Sequence, residues 1–125
     1  MKRALALAAA FLFTITTSLI RADVITAAQA AQHIGEVQTV RGVVASAAHA
    51  TRTKGDPTFL NLDKPYPGAI FTVVIWGSDR GKFPIPPETA FSGKTVRVTG
   101  MITVYRGTPE IVVHNPTEIV VDEGG

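Results

Sequence analysis

Cysteine is absent from all 125 residues. No disulfide can therefore support the fold, no thiolate can ligate a metal or act as a nucleophile, and an acylated lipoprotein anchor is not expected. Histidine is scarce: His33, His49 and His114 fall in three separate segments, with no His or carboxylate pair at a metal-ligand spacing. No metal or other cofactor is expected. No serine stands in a Gly-x-Ser-x-Gly elbow, and downstream of position 22 the acidic residues are single except for Asp122-Glu123. Ser78-Asp79-Arg80-Gly81-Lys82 lacks the spacing of a phosphate-cradling loop, and the proline of Asn115-Pro116-Thr117 blocks glycosylation. With no catalytic constellation, the chain is expected not to be an enzyme.

Long hydrophobic runs are also missing, apart from one at the start. Lys2 and Arg3 precede an apolar stretch from Ala4 to Phe13 that continues less strictly through Ile20, the layout of a secretory signal peptide. Cleavage is expected after Ala22, leaving Asp23 as the mature start and a periplasmic or secreted product. The alternative is an uncleaved anchor, since Ala4 to Ile20 only just reaches the roughly 17 residues needed to span a bilayer. Cleavage reverses the charge balance. Of twelve basic residues, Lys2, Arg3 and Arg21 leave with the leader, while all ten acidic residues stay, so the mature chain is one charge negative. A partner held by bulk positive charge is thereby excluded, and any anion recognition must be local. The remainder is long enough for one hydrophobic core and no more.

What is abundant is the vocabulary of β-structure. Thr26 to His33 is Ala/Gln-rich, with Thr26 placed to cap it and Gly35 to end it, and a short N-terminal helix is expected there. Beyond Gly35 the pattern turns to β-branched residues punctuated by Gly and Pro. Five strands are predicted: Val37 to Ala47, Thr58 to Leu62, Phe71 to Trp76, Thr95 to Tyr105 and Glu110 to His114. Arg80 to Ser92, with three prolines, reads as a loop with at most one helical turn, and Arg106-Gly107-Thr108-Pro109 as a tight hairpin. A final extended piece, Ile119 to Val121, packs back. The two long strands each carry one glycine, Gly42 and Gly100, where a small closed barrel needs to bend. The fold class is all-β: a five-stranded Greek-key barrel of the OB type, whose ligand face is built from strands two and three and the loops after strands one and four.

At Val40-Arg41-Gly42-Val43-Val44, Phe59-Leu60-Asn61-Leu62 and Thr95-Val96-Arg97-Val98-Thr99-Gly100, the chain resembles the OB-fold nucleic-acid-binding family that includes the anticodon-binding domains of aspartyl- and lysyl-type tRNA synthetases. It is similar also to small exported bacterial proteins that carry a lone domain of this kind. The likeness runs from Val37 to Ile119 and implies that Phe59 stacks on a base. Where those relatives have a basic residue after the second leucine, this chain has Asp63.

Alternation places Leu60 and Leu62 inward and Phe59 and Asn61 outward. The loop from Ala48 to Gly55 carries Arg52 and Lys54, and the other overhanging loop carries Tyr105 and Arg106. With Trp76 outward at the end of strand three, these residues interleave cations with aromatic faces, the chemistry of single-stranded nucleic acid recognition. Two partner classes remain open from the residues: single-stranded DNA or RNA, and an envelope ligand such as a small molecule, cation, oligosaccharide or protein taken on the same face.

Overall fold

The computed structural model describes residues 23–123. The expected leader at residues 1–22 lies outside them. The described residues are mostly β, with seven strands where five are predicted: β1 (Val24–Thr26), β2 (Val37–His49), β3 (Thr58–Leu62), β4 (Thr72–Ile75), β5 (Thr95–Tyr105), β6 (Thr108–Val112) and β7 (Ile119–Val121). Two one-turn helices, α1 (Gly77–Arg80) and α2 (Pro87–Ala90), lie between β4 and β5.

Strand pairing closes on itself. β2 pairs antiparallel with both β3 and β5, β3 with β4, and β5 with β6, and a parallel pairing of β4 with β6 completes a ring of five strands. β1 adds parallel to β2, and β7 adds antiparallel to β5, as outer strands. Alternation fills the interior. Val40 and Val44 from β2, Leu60 and Leu62 from β3, Val73 and Ile75 from β4, Val96, Val98 and Ile102 from β5, and Ile111 from β6 are all buried around Phe71. β5 and β6 approach closely at Gly100, where a Cβ would lie 2.7 Å from Cγ2 of Ile111.

The ends of the ring are plugged from the connections. Ala27 and Ala30 are buried at the N-terminal side. Phe83 and Phe91, flanking α2, meet edge to face with centroids 6.3 Å apart. Arg80 at the end of α1 donates to Thr58 Oγ1 at 3.0 Å and grips both carboxylate oxygens of Glu88.

Several expectations need correction. The N-terminal helix is a single 3-10 turn over Ala30–Gln32. Thr26 Oγ1 does accept the Gln29 N–H, at 3.2 Å, but Thr26 itself is strand, and only eight residues separate it from Gly35. One turn is all that fits while Ala27 and Ala30 stay buried. The three-residue β1 carries no turn signal of its own and sits next to the leader, so nothing marks it as a strand. β6 starts at Thr108 and ends at Val112, earlier than predicted, because the hairpin is a two-residue turn with both Arg106 (φ 51°) and Gly107 (φ 83°) left-handed. Pro109, which lacks an N–H and argues against a strand, lies inside β6 opposite Val104.

Candidate ligand groove

Residues that point outward from β3, β4 and β6 form one face. Cross-strand register places Ser46, Asn61, Thr72, Glu110 and Thr103 in a single row across five strands, with Ala48, Phe59, Val74 and Val112 in the next. Two adjoining hollows open on this face, of about 650 and 530 Å³, and share Phe59, Tyr105 and Glu110 as common walls. They constitute one continuous groove.

Of the residues singled out by sequence, Phe59, Asn61, Tyr105 and Arg106 line the larger hollow, and Lys54, Phe59, Trp76 and Tyr105 the smaller. Arg52 lines neither. It is exposed on the same loop as Lys54, but the left-handed pair Gly55 and Asp56 folds the loop down onto Trp76. The approach is close: a Cβ at Gly55 would lie 2.9 Å from the indole Cε3. Trp76 is therefore partly covered by the loop and partly open to the groove, at 38% exposure. Thr72 and Val74 of β4 share this outward face but are buried as lining of the two hollows.

Asn61 differs from expectation in its use. Its Nδ2 donates to Ser46 Oγ at 3.0 Å and its Oδ1 accepts from Thr72 Oγ1 at 2.8 Å. Ser46 Oγ in turn accepts the Tyr66 N–H at 3.0 Å. The amide is committed to a network that ties the β3–β4 loop to the sheet and brings Tyr66 and Pro67 to the groove wall. Asp63 is committed as well: its Oδ1 accepts from Val43 N–H and its own N–H donates to Val43 O, pinning β2 beside Gly42.

Two groove residues carry no signal strong enough to find in sequence. Tyr66, in Lys64-Pro65-Tyr66-Pro67, reads only as a proline-rich loop. Glu110 stands alone between apolar neighbours and belongs to no motif. The structure places its carboxyl at the junction of the two hollows, where burial pushes its pKa up from the ordinary carboxylate value. Its side chain takes part in none of the hydrogen bonds or ion pairs among the described residues. At the groove mouth Arg106 lies over the Tyr105 ring, with its guanidinium carbon 5.2 Å from the centroid. The groove is thus an aromatic-walled cleft with Lys54 on the wall of one hollow, Arg106 on the wall of the other and, among the described residues, an unpaired carboxyl where the two meet.

Among the described residues no group of three His, Asp or Glu side chains is placed to hold a metal ion. His33 instead meets Glu36 at 2.8 Å, and His114 meets Asp79 at 3.0 Å.

No family model and no curated protein matches the sequence. Solved structures do resemble the fold. A protein described as an aspartyl-tRNA synthetase from Leishmania major Friedlin aligns over 90% of this chain at 14% identity, with a TM-score of 0.53. The aspartyl tRNA synthetase from Entamoeba histolytica aligns over 72% at 20% identity, with a TM-score of 0.43. This chain corresponds to only 23% and 19% of their respective lengths. The first match is consistent with an OB fold.

Proposed function

We propose that this protein is an exported OB-fold barrel that binds single-stranded nucleic acid across β3 and β4, and that it is a binding module with no catalytic activity. Export, to the periplasm or the medium, rests on the leader-like first 22 residues. The reading is carried by one observation: two adjoining hollows in which Phe59, Trp76 and Tyr105 offer aromatic faces, with Lys54 lining one hollow and Arg106 the other. Stacked bases each contribute roughly 1–3 kcal/mol on such faces, largely without regard to sequence. The cations can meet phosphates where the strand enters and leaves, which suits a chain whose overall charge offers no attraction of its own. The fold likeness to the aspartyl-tRNA synthetase chain from Leishmania major Friedlin lends support.

The test is the affinity of residues 23–125 for a labelled single-stranded oligonucleotide across a salt series. If Lys54 and Arg106 each neutralise one phosphate, replacing both with Ala flattens the slope of log K against log salt by about 1.4, at about 0.7 per contact. Binding that is independent of salt, or unchanged in the double variant, contradicts the proposal.

A second reading, an envelope protein taking a small molecule, cation, oligosaccharide or protein on the same face, is favoured by Glu110. A carboxyl in mid-groove repels a polyanion.

A further inference from the structure

We infer that the centre of the groove binds the ammonium or guanidinium group of a small organic cation, with Glu110 as its counter-charge and Phe59, Trp76 and Tyr105 as its walls. The inference uses the same groove as the nucleic-acid reading but does not depend on that ligand.

Glu110 is held in place by its strand. On β6 it lies between Thr72 of β4 and Thr103 of β5, so backbone pairing on both sides aims its side chain out of the ring and into the junction of the two hollows. The nearby hydroxyl of Thr72 is already donated to Asn61, and no described residue supplies a hydrogen bond or opposite charge. The carboxyl has lost part of its water and gained nothing in return, an arrangement that costs free energy until a donor arrives. Burial has accordingly raised its pKa. A positively charged N–H group restores the missing partner, and charge-assisted hydrogen bonds of this kind are about twice as strong as neutral ones.

The walls favour the same ligand. Aromatic faces attract cations within about 6 Å of the ring centroid. The Tyr105 ring already takes the chain's own Arg106 guanidinium in this way, at 5.2 Å. Phe59 and Trp76 make no cation contact of their own among the described residues and line the groove beside Glu110. Lys54 and Arg106 define the charge pattern of the whole ligand. They oppose a polycation and favour a single cationic head whose other end is apolar, neutral or acidic.

The experiment titrates residues 23–125 with n-butylguanidinium, using Trp76 fluorescence and calorimetry, beside the neutral isostere n-butylurea. Saturable binding of the guanidinium is expected, with butylurea weaker by roughly tenfold or more, equivalent to about 1.4 kcal/mol. Glu110→Gln, which keeps the shape of the side chain and is checked for folding by its circular dichroism, should lose the same factor. Equal affinity for the two compounds, an unchanged affinity in Glu110→Gln, or no saturation by the guanidinium each overturns the inference. The same variant separates the two readings of the groove. Removing the carboxylate should weaken the guanidinium and strengthen a single-stranded oligonucleotide. Failure of the oligonucleotide alone leaves the cation site standing, and failure of the guanidinium alone leaves the nucleic-acid reading standing.

Discussion

Glu110 and Glu88 are carboxylates of similar intrinsic strength in opposite surroundings. Both start from an ordinary value of 4.5; burial without a partner raises Glu110, whereas hydrogen bonds from Arg80 lower Glu88. The consequences for stability have opposite signs. Between 4.5 and its raised folded value, Glu110 holds more protons in the folded state than in the unfolded, so its contribution falls as pH rises through that window. Glu88 binds fewer protons when folded, so its contribution is complete above 4.5 and is lost as pH falls through its lowered value. Thermal melts should therefore show Glu110→Gln more stable than the parent at neutral pH, and Glu88→Gln less stable. Both differences should shrink in acid, where the parent carboxyls are themselves neutral. A Glu110→Gln variant destabilised at neutral pH would mean that the carboxylate has a partner the structure does not reveal.

At the scale of the strand, Gly100 makes a sharper demand than composition suggests. It faces Ile111 across β5 and β6, and Ile111 is fully buried. Gly100→Ala would place a methyl group 2.7 Å from a branch carbon that has no room to turn. A loss of about 1–3 kcal/mol is expected from urea denaturation, in keeping with overpacked cores. An unchanged midpoint would show that Ile111 can give way to the added methyl group. The register shift in the pairing of β2 with β3 falls between Val44 and Ser46 rather than at Gly42, whereas β3, β5 and β7 were legible, with bounds that agree with the sequence pattern to the residue. These strands are β-branched runs with punctuation at both ends. β1 was not legible, because its three residues become a strand only when β2 lies alongside. Nor was the true start of β6, because a left-handed arginine in the turn leaves no mark in sequence. The site divides along the same line. Phe59, Lys54, Tyr105 and Arg106 followed from strand parity and loop position. Glu110 and the commitment of Asn61 to Ser46 and Thr72 depend on which strands become neighbours, and the parallel pairing of β4 with β6 that sets the Thr72–Glu110 contact cannot be read from either strand alone.

For the whole molecule, the two sides of the ring have different tasks. On one side β1 and β7 extend the sheet of β2 and β5, and its outward charges are already spent: Arg41 and Arg97 both bind Asp122 through Nε. On the other side β3, β4 and β6 carry aromatic faces, two outlying cations and an unpaired carboxyl, beneath loops that the Ser46–Asn61–Thr72 network and Gly55 hold in position. The division predicts where a ligand acts. The most direct measurement is amide chemical-shift mapping of residues 23–125 during titration with a single-stranded oligonucleotide at low salt. Shifts concentrated at Lys54, Phe59, Trp76, Tyr105 and Arg106, with Arg41, Arg97 and Asp122 silent, are the predicted result. No shifts at low salt, or shifts centred on Arg41 and Arg97, would contradict the groove as a nucleic-acid site.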